Sequence, residues 1–202
     1  MRFTFLRLNT CIFACMILFS NLSMLEAQPR EVIWLKKING QENKRATDGF
    51  KFISKTVTPL SFAIPVSIIT IGLIQNDNQT LGDGLQVGSS LILAALASTG
   101  LKYTINRKRP GEKYSFIHPR ENIVDPSFPS GHTTVAFALA TAVSLLYPKW
   151  YVIGPAATWA GTVAYSRLYL GVHFPSDILG GIVIGTGFSF LVWQGRKWID
   201  QQ

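Results

Sequence analysis

Five stretches of this chain, 59–74, 85–101, 133–147, 150–165 and 178–193, contain no charged side chain, and that constrains the fold more than any other feature. Each is a little shorter than the roughly 20 residues of a bilayer span and reaches that length with its flanks. They are rich in small residues, Gly88, Ser89, Ala94, Ala95, Ala97 and Gly100 in one and Gly180, Gly181, Gly185 and Gly187 in another, as closely packed membrane helices are. Pro65 and Pro155 fall inside spans, where neighbouring helices can satisfy the freed carbonyls. Tyr147, Trp150, Tyr151, Trp193 and Trp198 fall near span ends, as interfacial aromatics do. Buried helices of a soluble all-α protein would need polar surface to cover them. With 15% charged residues the chain has too little of it, and its 48% hydrophobic content also excludes a disordered chain. The expected fold is all-α: a polytopic membrane helical bundle of five transmembrane helices, or six if the N-terminal run is retained.

That run opens with Arg2 and Arg7, is mostly apolar from Leu8 to Phe19, and turns polar at Glu26 with Ala27 at a cleavage-like position. Residues 1–27 therefore read as a secretory signal peptide or as a first transmembrane helix, and the sequence leaves both open. Residues 28–57 form a polar and basic linker with the makings of an amphipathic helix, Trp34 being its main apolar anchor. Residues 58–195 hold the membrane domain, and 196–202 a short polar tail. Cys11 and Cys15 both lie in the first run, so no disulfide framework or cysteine metal site is expected.

The net charge of +8 points to phosphate-bearing partners, and the position of the cations narrows the choice. Lys102, Arg107, Lys108, Arg109, Lys113 and Arg120 occupy the loop between the second and third spans. His132 and His173 flank span boundaries, Arg167 follows the fourth span and Asp177 opens the fifth. From His132 the chain crosses at 133–147, turns at Pro148–Lys149 and returns to Ser166–Arg167. Two crossings restore the starting side, so His132, Arg167 and His173 share one face with Lys102 and Arg109. Clustered Lys and Arg suit a dianionic phosphate, which Arg can bind through two parallel hydrogen bonds. Ser130 stands where a helix begins and can cap it, while Gly131 admits a ligand to backbone N–H groups. One histidine of such a pair can attack phosphorus while the other protonates the leaving oxygen. Asp177, one helical turn beyond His173, can hold its tautomer. Acidic residues are sparse near the cluster in the sequence, and no metal or other cofactor is expected. His118 has no motif around it and is expected to carry no role.

Three motifs carry a resemblance. Lys102 to Pro110 has the form KxxxxxxRP, Pro129 to His132 reads PSGH, and Ser166 to Asp177 has the form SRxxxxxHxxxD. In this order they resemble the three-part signature of the type 2 phosphatidic acid phosphatases, relatives of the vanadium haloperoxidases and bacterial acid phosphatases. The resemblance covers roughly residues 58–195. It implies a metal-independent phosphohydrolase in which Lys102, Arg109 and Arg167, helped by Ser130 and Gly131, bind the phosphoryl group. It further implies that His173 is the nucleophile, passing through a phosphohistidine, with Asp177 as its orienting partner and His132 as general acid. Membrane members act on lipid phosphates or pyrophosphates such as phosphatidic acid, phosphatidylglycerol phosphate, undecaprenyl pyrophosphate and lipid A. The expected partners are thus a lipid phosphate substrate and membrane lipids, with no nucleic acid and no obligate protein partner. The competing readings are a vanadate-dependent haloperoxidase and a non-catalytic protein that binds anionic lipid or transports phosphate. The two histidines and Asp177 argue against mere binding. A transporter would place its ionisable residues near mid-membrane.

Orientation pits two signals against each other. The N-terminal cations followed by an apolar run place the active face outside, which in a bacterium is the periplasmic side of the inner membrane. Yet that face holds fourteen of the nineteen Lys and Arg, which a positive-inside count would put in the cytoplasm. The export-like N-terminus is given precedence, because several of these cations belong to the site.

Overall fold

The computed structural model describes residues 29–201. The run read as signal peptide or first span lies outside the described residues. The helices are α1 (Pro29–Asn39), α2 (Lys44–Lys55), α3 (Val57–Gln75), α4 (Asn78–Ile105), α5 (Pro110–Lys113), α6 (Gly131–Leu146), α7 (Trp150–Tyr169) and α8 (Pro175–Ile199), with no strand among the described residues. The fold is an all-α membrane bundle. Three helical segments, Lys44–Gln75, Asn78–Lys113 and Pro175–Ile199, are long and apolar enough to cross a bilayer, and α6 is a shorter apolar helix.

Several helices overrun the apolar stretches that announce them, because their ends are set by caps. The Asp77 side chain accepts from the Gln79 backbone N–H at 2.9 Å and starts α4 seven residues before its apolar stretch. Asn106, left-handed at φ 49°, ends α4 and turns the chain toward Arg107 and Arg109. Pro175 at the first turn of α8, with Asp177 accepting from the Phe174 N–H at 2.7 Å, sets the start of that helix. Arg167 lies in the last turn of α7, not after it, and Arg196 and Lys197 lie in the last turn of α8, not in a free tail.

The α6–α8 pair forms the centre, with α4 packed on both, α7 on the other flank of α6, and α3 outside α4. Glycine makes the central contact close. A Cβ on Gly181 would stand 2.9 Å from the Ser130 carbonyl oxygen and 3.0 Å from the Thr133 Cβ. Val87, Leu91 and Ala94 of α4 pack on Ala138, Leu139 and Ala142 of α6, and Val57 with Ala160 and Val163 of α7 close the opposite side. On the outside, Phe62, Val66, Leu73, Ile92, Leu96, Leu179 and Val183 are all exposed. Such a surface is suited to acyl chains and not to water.

The basic segment after residue 28 folds as two helices over one end of the bundle. Trp34 is not its anchor: it is 68% exposed, while Leu35 and Val32 are buried against Ile117 and Phe174. The helix period decides this, because the face of α1 that meets the bundle is the one carrying 32 and 35. Asn39 is buried and fastens α1 down, accepting from the His118 N–H at 2.8 Å and donating to the Tyr169 carbonyl at 3.2 Å. Arg120 reaches the carbonyls of Tyr169 and Asn39 from the long loop.

The tight glycine contact has a measurable consequence. Gly181→Ala is expected to destabilise the bundle by about 1–3 kcal/mol through overpacking. Gly187→Ala, with no atom within 4 Å of its added Cβ, is expected to be neutral or slightly stabilising. Thermal denaturation of the two purified variants in detergent compares them.

Candidate active site

The helix ends at the α1-covered pole carry the residues singled out in the sequence. Lys102 closes α4, Ser130, Gly131 and His132 open α6, Arg167 closes α7, His173 sits in the turn before α8, and Asp177 stands in the first turn of α8. Antiparallel packing brings these ends together. Lys102, Arg109, Arg167, Ser130, His173 and Asp177 are all buried, and His132 is half-buried.

His173 lies between a cation and a carboxylate. Its Nε2 is 3.4 Å from Nη1 of Arg109, and its Nδ1 is 3.5 Å from Oδ2 of Asp177. With an acceptor facing Nδ1, the favoured tautomer carries its proton there and leaves the Nε2 lone pair toward the cations. Burial, reinforced by the charges of Arg109 and Arg167 and opposed by Asp177, pushes the His173 imidazole down to about 3. At neutral pH it is therefore an uncharged base.

Asp177 is more firmly held by others than by His173. Its Oδ2 accepts from the Ser127 hydroxyl at 2.5 Å and the Phe174 N–H at 2.7 Å, and its Oδ1 from Arg107 at 2.5 Å. Arg107 also binds Glu31 of α1 at 2.9 Å, and Glu31 accepts from the Ser176 N–H at 3.1 Å. The guanidinium lies 4.2 Å over the Phe174 ring. This network fixes the start of α8 and, through it, the imidazole.

The cations also have carboxylate partners, contrary to the sparse acidic content expected around the cluster. Asp125 bridges Lys102 at 2.8 Å and Arg109 at 2.7 Å, while Glu121 approaches Arg167 at 2.9 Å. Burial works to raise the Asp125 carboxyl, but the hydrogen bond and charge of Lys102, joined by Arg109, outweigh it and hold it below the ordinary carboxylate value. Arg109 is further fixed by the carbonyls of Asp125 and Val172, and Arg167 by the Ser54 hydroxyl of α2. The Arg167 Nε is buried with no acceptor among the described residues. A buried guanidinium left incompletely satisfied at Arg167 calls for an anionic oxygen.

Ser130 precedes the first residue of α6, yet its side chain does not cap the helix. It accepts from the Thr133 hydroxyl at 2.9 Å, and its backbone N–H donates to the Asp177 carbonyl at 3.1 Å. The N–H groups of the first turn of α6 thus keep their freedom to meet an anion. Gly131 faces Lys102, whose Cε would lie 3.8 Å from an added Cβ, and His132 has Arg167, Asp125, Lys102 and Arg109 as charged neighbours. His118 is exposed, and only its backbone is engaged, by Asn39.

Asp125, Glu121, Glu31, Ser127 and Ser54 join the site without having been singled out, and Arg107, one of the loop cations, joins it as a partner of Asp177. Arg107 and Ser127 lie inside or beside the motifs and are within reach of pattern reading. Glu31 and Ser54 arrive from helices 76 or more residues away along the chain, and no spacing signals them. Among the described residues no three His, Cys, Asp or Glu side chains converge as a metal-binding group.

An all-helical integral membrane protein with a cradle of buried cations around a neutral histidine defines the class. Residues 83–200 match the sequence profile of the PAP2 superfamily, and the chain belongs to that family. It is 33% identical over 113 residues to the undecaprenyl-diphosphatase of Sulfolobus acidocaldarius, covering 54% of this chain and 52% of that protein. It is 33% identical over 114 residues to the lipid A 1-phosphatase of Rhizobium etli, covering 54% and 48%. The chain thus aligns with about half the length of these curated relatives. Its fold is similar to the crystal structure of a transmembrane PAP2-type phosphatidylglycerolphosphate phosphatase from Bacillus subtilis, with a TM-score of 0.74 at 24% identity, over 94% of this chain and 96% of that one.

The buried histidine makes stability depend on pH with a definite sign. The folded value near 3 lies below the unfolded 6.5, so burial of neutral His173 contributes stability that is complete above pH 6.5 and lost as pH falls toward 3. His173→Asn is expected to flatten the fall in thermal midpoint between pH 6.5 and 4. Parallel curves for the two proteins would mean that the folded imidazole titrates normally.

Proposed function

We propose that this protein is a membrane-bound phosphohydrolase that removes phosphate from a lipid phosphate or pyrophosphate without a metal ion. The observation that carries this reading is the Nε2 of His173 standing 3.4 Å from Arg109, with Asp177 behind Nδ1. Lys102, Arg109 and Arg167 hold the phosphoryl oxygens, with the Ser130 hydroxyl and the Gly131 N–H at the start of α6 adding donors. The charge that develops in the transition state meets fixed cations in a water-poor site. The Nε2 lone pair of His173 forms the P–N bond as the bond from phosphorus to the lipid oxygen breaks. His132, whose protonated form is favoured against the surrounding cations once the phosphoryl dianion is bound, gives its proton to that oxygen, and Asp177 and its hydrogen-bond network stabilise the His173 imidazolium. Water then attacks phosphorus, its proton passes to His132, the P–N bond breaks and inorganic phosphate leaves.

An apolar groove supports a lipid as the leaving group. A cavity of about 500 Å³ runs between α3, α4 and α6, walled by Thr58, Phe62, Pro65, Ile92 and Ala95, and ends at Gly131 and His132. A tail lying there delivers its headgroup oxygen to the general acid. Phosphatidic acid, phosphatidylglycerol phosphate, a polyprenyl pyrophosphate and lipid A are the substrate classes, the last three matching the names of the relatives and of the structural neighbour. The catalytic domain is residues 58–195, with α1 and α2 as its cover. The site faces the periplasm from a bacterial inner membrane. Lys102, Arg107, Arg109, Arg120 and Arg167 are all engaged in internal bonds, which takes much of the weight from a positive-inside count. Residues 1–27 then serve as the export signal, cleaved or kept as a span.

Purified protein is expected to release phosphate from at least one of these four lipids in the presence of chelator and to be inhibited by vanadate. His173→Ala is expected to lower kcat by about three orders of magnitude or more. Brief reaction with labelled substrate and alkaline quench should leave acid-labile phosphate on His173; label on serine or a carboxylate would reject the mechanism. Ala95→Trp should raise KM for a long-chain lipid phosphate about tenfold more than for a short-chain soluble one, a KM effect being the mark of lost ground-state binding. Equal KM changes would move the tail elsewhere.

A further inference from the structure

Asp125 belongs to none of the three motifs, yet it takes the position between the cations that a phosphoryl group would need. Oδ2 meets Lys102 at 2.8 Å and Oδ1 meets Arg109 at 2.7 Å, so two oxygens of one anion bridge an ammonium and a guanidinium. Two non-bridging oxygens of a phosphate present the same pattern. Lys102 and Arg109 are buried, but the Asp125 side chain is 36% exposed. Its neighbour Val124 is 94% exposed. The bridge therefore has two fixed ends and a middle that can leave. There is also somewhere for it to go. A second cavity of about 490 Å³, of mixed polar and apolar lining, adjoins Asp125 and is bordered by the cations Arg107 and Lys108, by Asn106 and by Glu112.

We propose that Asp125 is a built-in anion that neutralises and aligns Lys102 and Arg109 in the free enzyme, yields them to the substrate phosphoryl group by swinging into the adjoining cavity, and returns to expel inorganic phosphate. This rests on Lys102 and Arg109 being phosphate ligands. Uncompensated cations in a buried site are unstable, so a resident carboxylate keeps the empty cradle intact. It also sets a threshold. A lipid phosphate adds the binding energy of its tail to that of its charge and displaces the carboxylate. Free phosphate brings charge alone and is displaced by it. Asp125 is thus a positioning residue that separates substrate from product.

The test compares inhibition by inorganic phosphate and by vanadate with steady-state kinetics on one lipid phosphate. In Asp125→Asn both anions are expected to inhibit at about tenfold lower concentration, since the neutral amide no longer competes for the two cations. KM should fall, and kcat should fall with it as product release slows. Asp125→Glu, which keeps the charge, should return both inhibition constants to within about threefold of the parent. If Asp125→Asn does not accumulate as folded protein, Asp125→Ser is measured in its place with the same expectation. Anion inhibition that is unchanged or weaker, with KM raised, would reduce Asp125 to a structural brace and overturn the proposal. Arg109→Ala separates the two levels. If it loses vanadate inhibition while Asp125→Asn is unresponsive, only the role of Asp125 fails; if it keeps full vanadate inhibition, the reading of the cradle itself fails.

Discussion

Burying cations at one end of an apolar bundle is the constraint on which this structure turns. Lys102, Arg109 and Arg167 are each taken almost fully out of water by helices whose outer surfaces suit lipid. A buried charge that loses its partner costs about 3–5 kcal/mol, so each must be met by an anion or by several oriented dipoles. Asp125, Glu121 and Ser54, with the carbonyls of Pro126, Asp125 and Val172, meet that need. The long loop between α4 and α6 is shaped by this requirement more than by any helix or turn propensity. Its few regular residues, Pro110–Lys113, form only a single short helix.

The same constraint accounts for the state of the histidine. An imidazole surrounded by guanidinium groups and removed from water is held neutral, with the free lone pair that a nucleophile needs. The carboxylate behind it is occupied by Ser127, Phe174 and Arg107, so it supplies orientation and field without close contact at 3.5 Å. Arg107 extends the arrangement outward to Glu31, and so ties the position of the imidazole to the docking of α1.

The bundle was legible in the sequence because uncharged stretches of this length have few other solutions, and the shared face of the site followed from counting passes. Helix ends were less legible. Asp77 and Asn106 set the limits of α4 through local hydrogen bonding and backbone conformation, which hydropathy does not register. The role of Trp34 was misjudged for a similar reason: residue type suggested an anchor, but α1 turns Val32 and Leu35 inward and leaves the indole out. Asp125 and Glu121 are not legible in the sequence, because a lone carboxylate in a loop carries no pattern. Only the folded positions of Lys102, Arg109 and Arg167 give these two acids meaning.

The family match begins at residue 83, yet the cradle borrows from what comes before it. Ser54 holds Arg167, Glu31 holds Arg107, and α3 supplies one wall of the groove that runs to His132. The cations and histidines of the cradle are therefore carried by one part of the polypeptide, and the groove and braces around them are partly carried by another. An N-terminal half of different sequence that kept the contacts of Glu31 and Ser54 could reshape the groove wall while leaving the cradle braced. The groove wall and the cation cradle are thus parts of the architecture that a graft could separate.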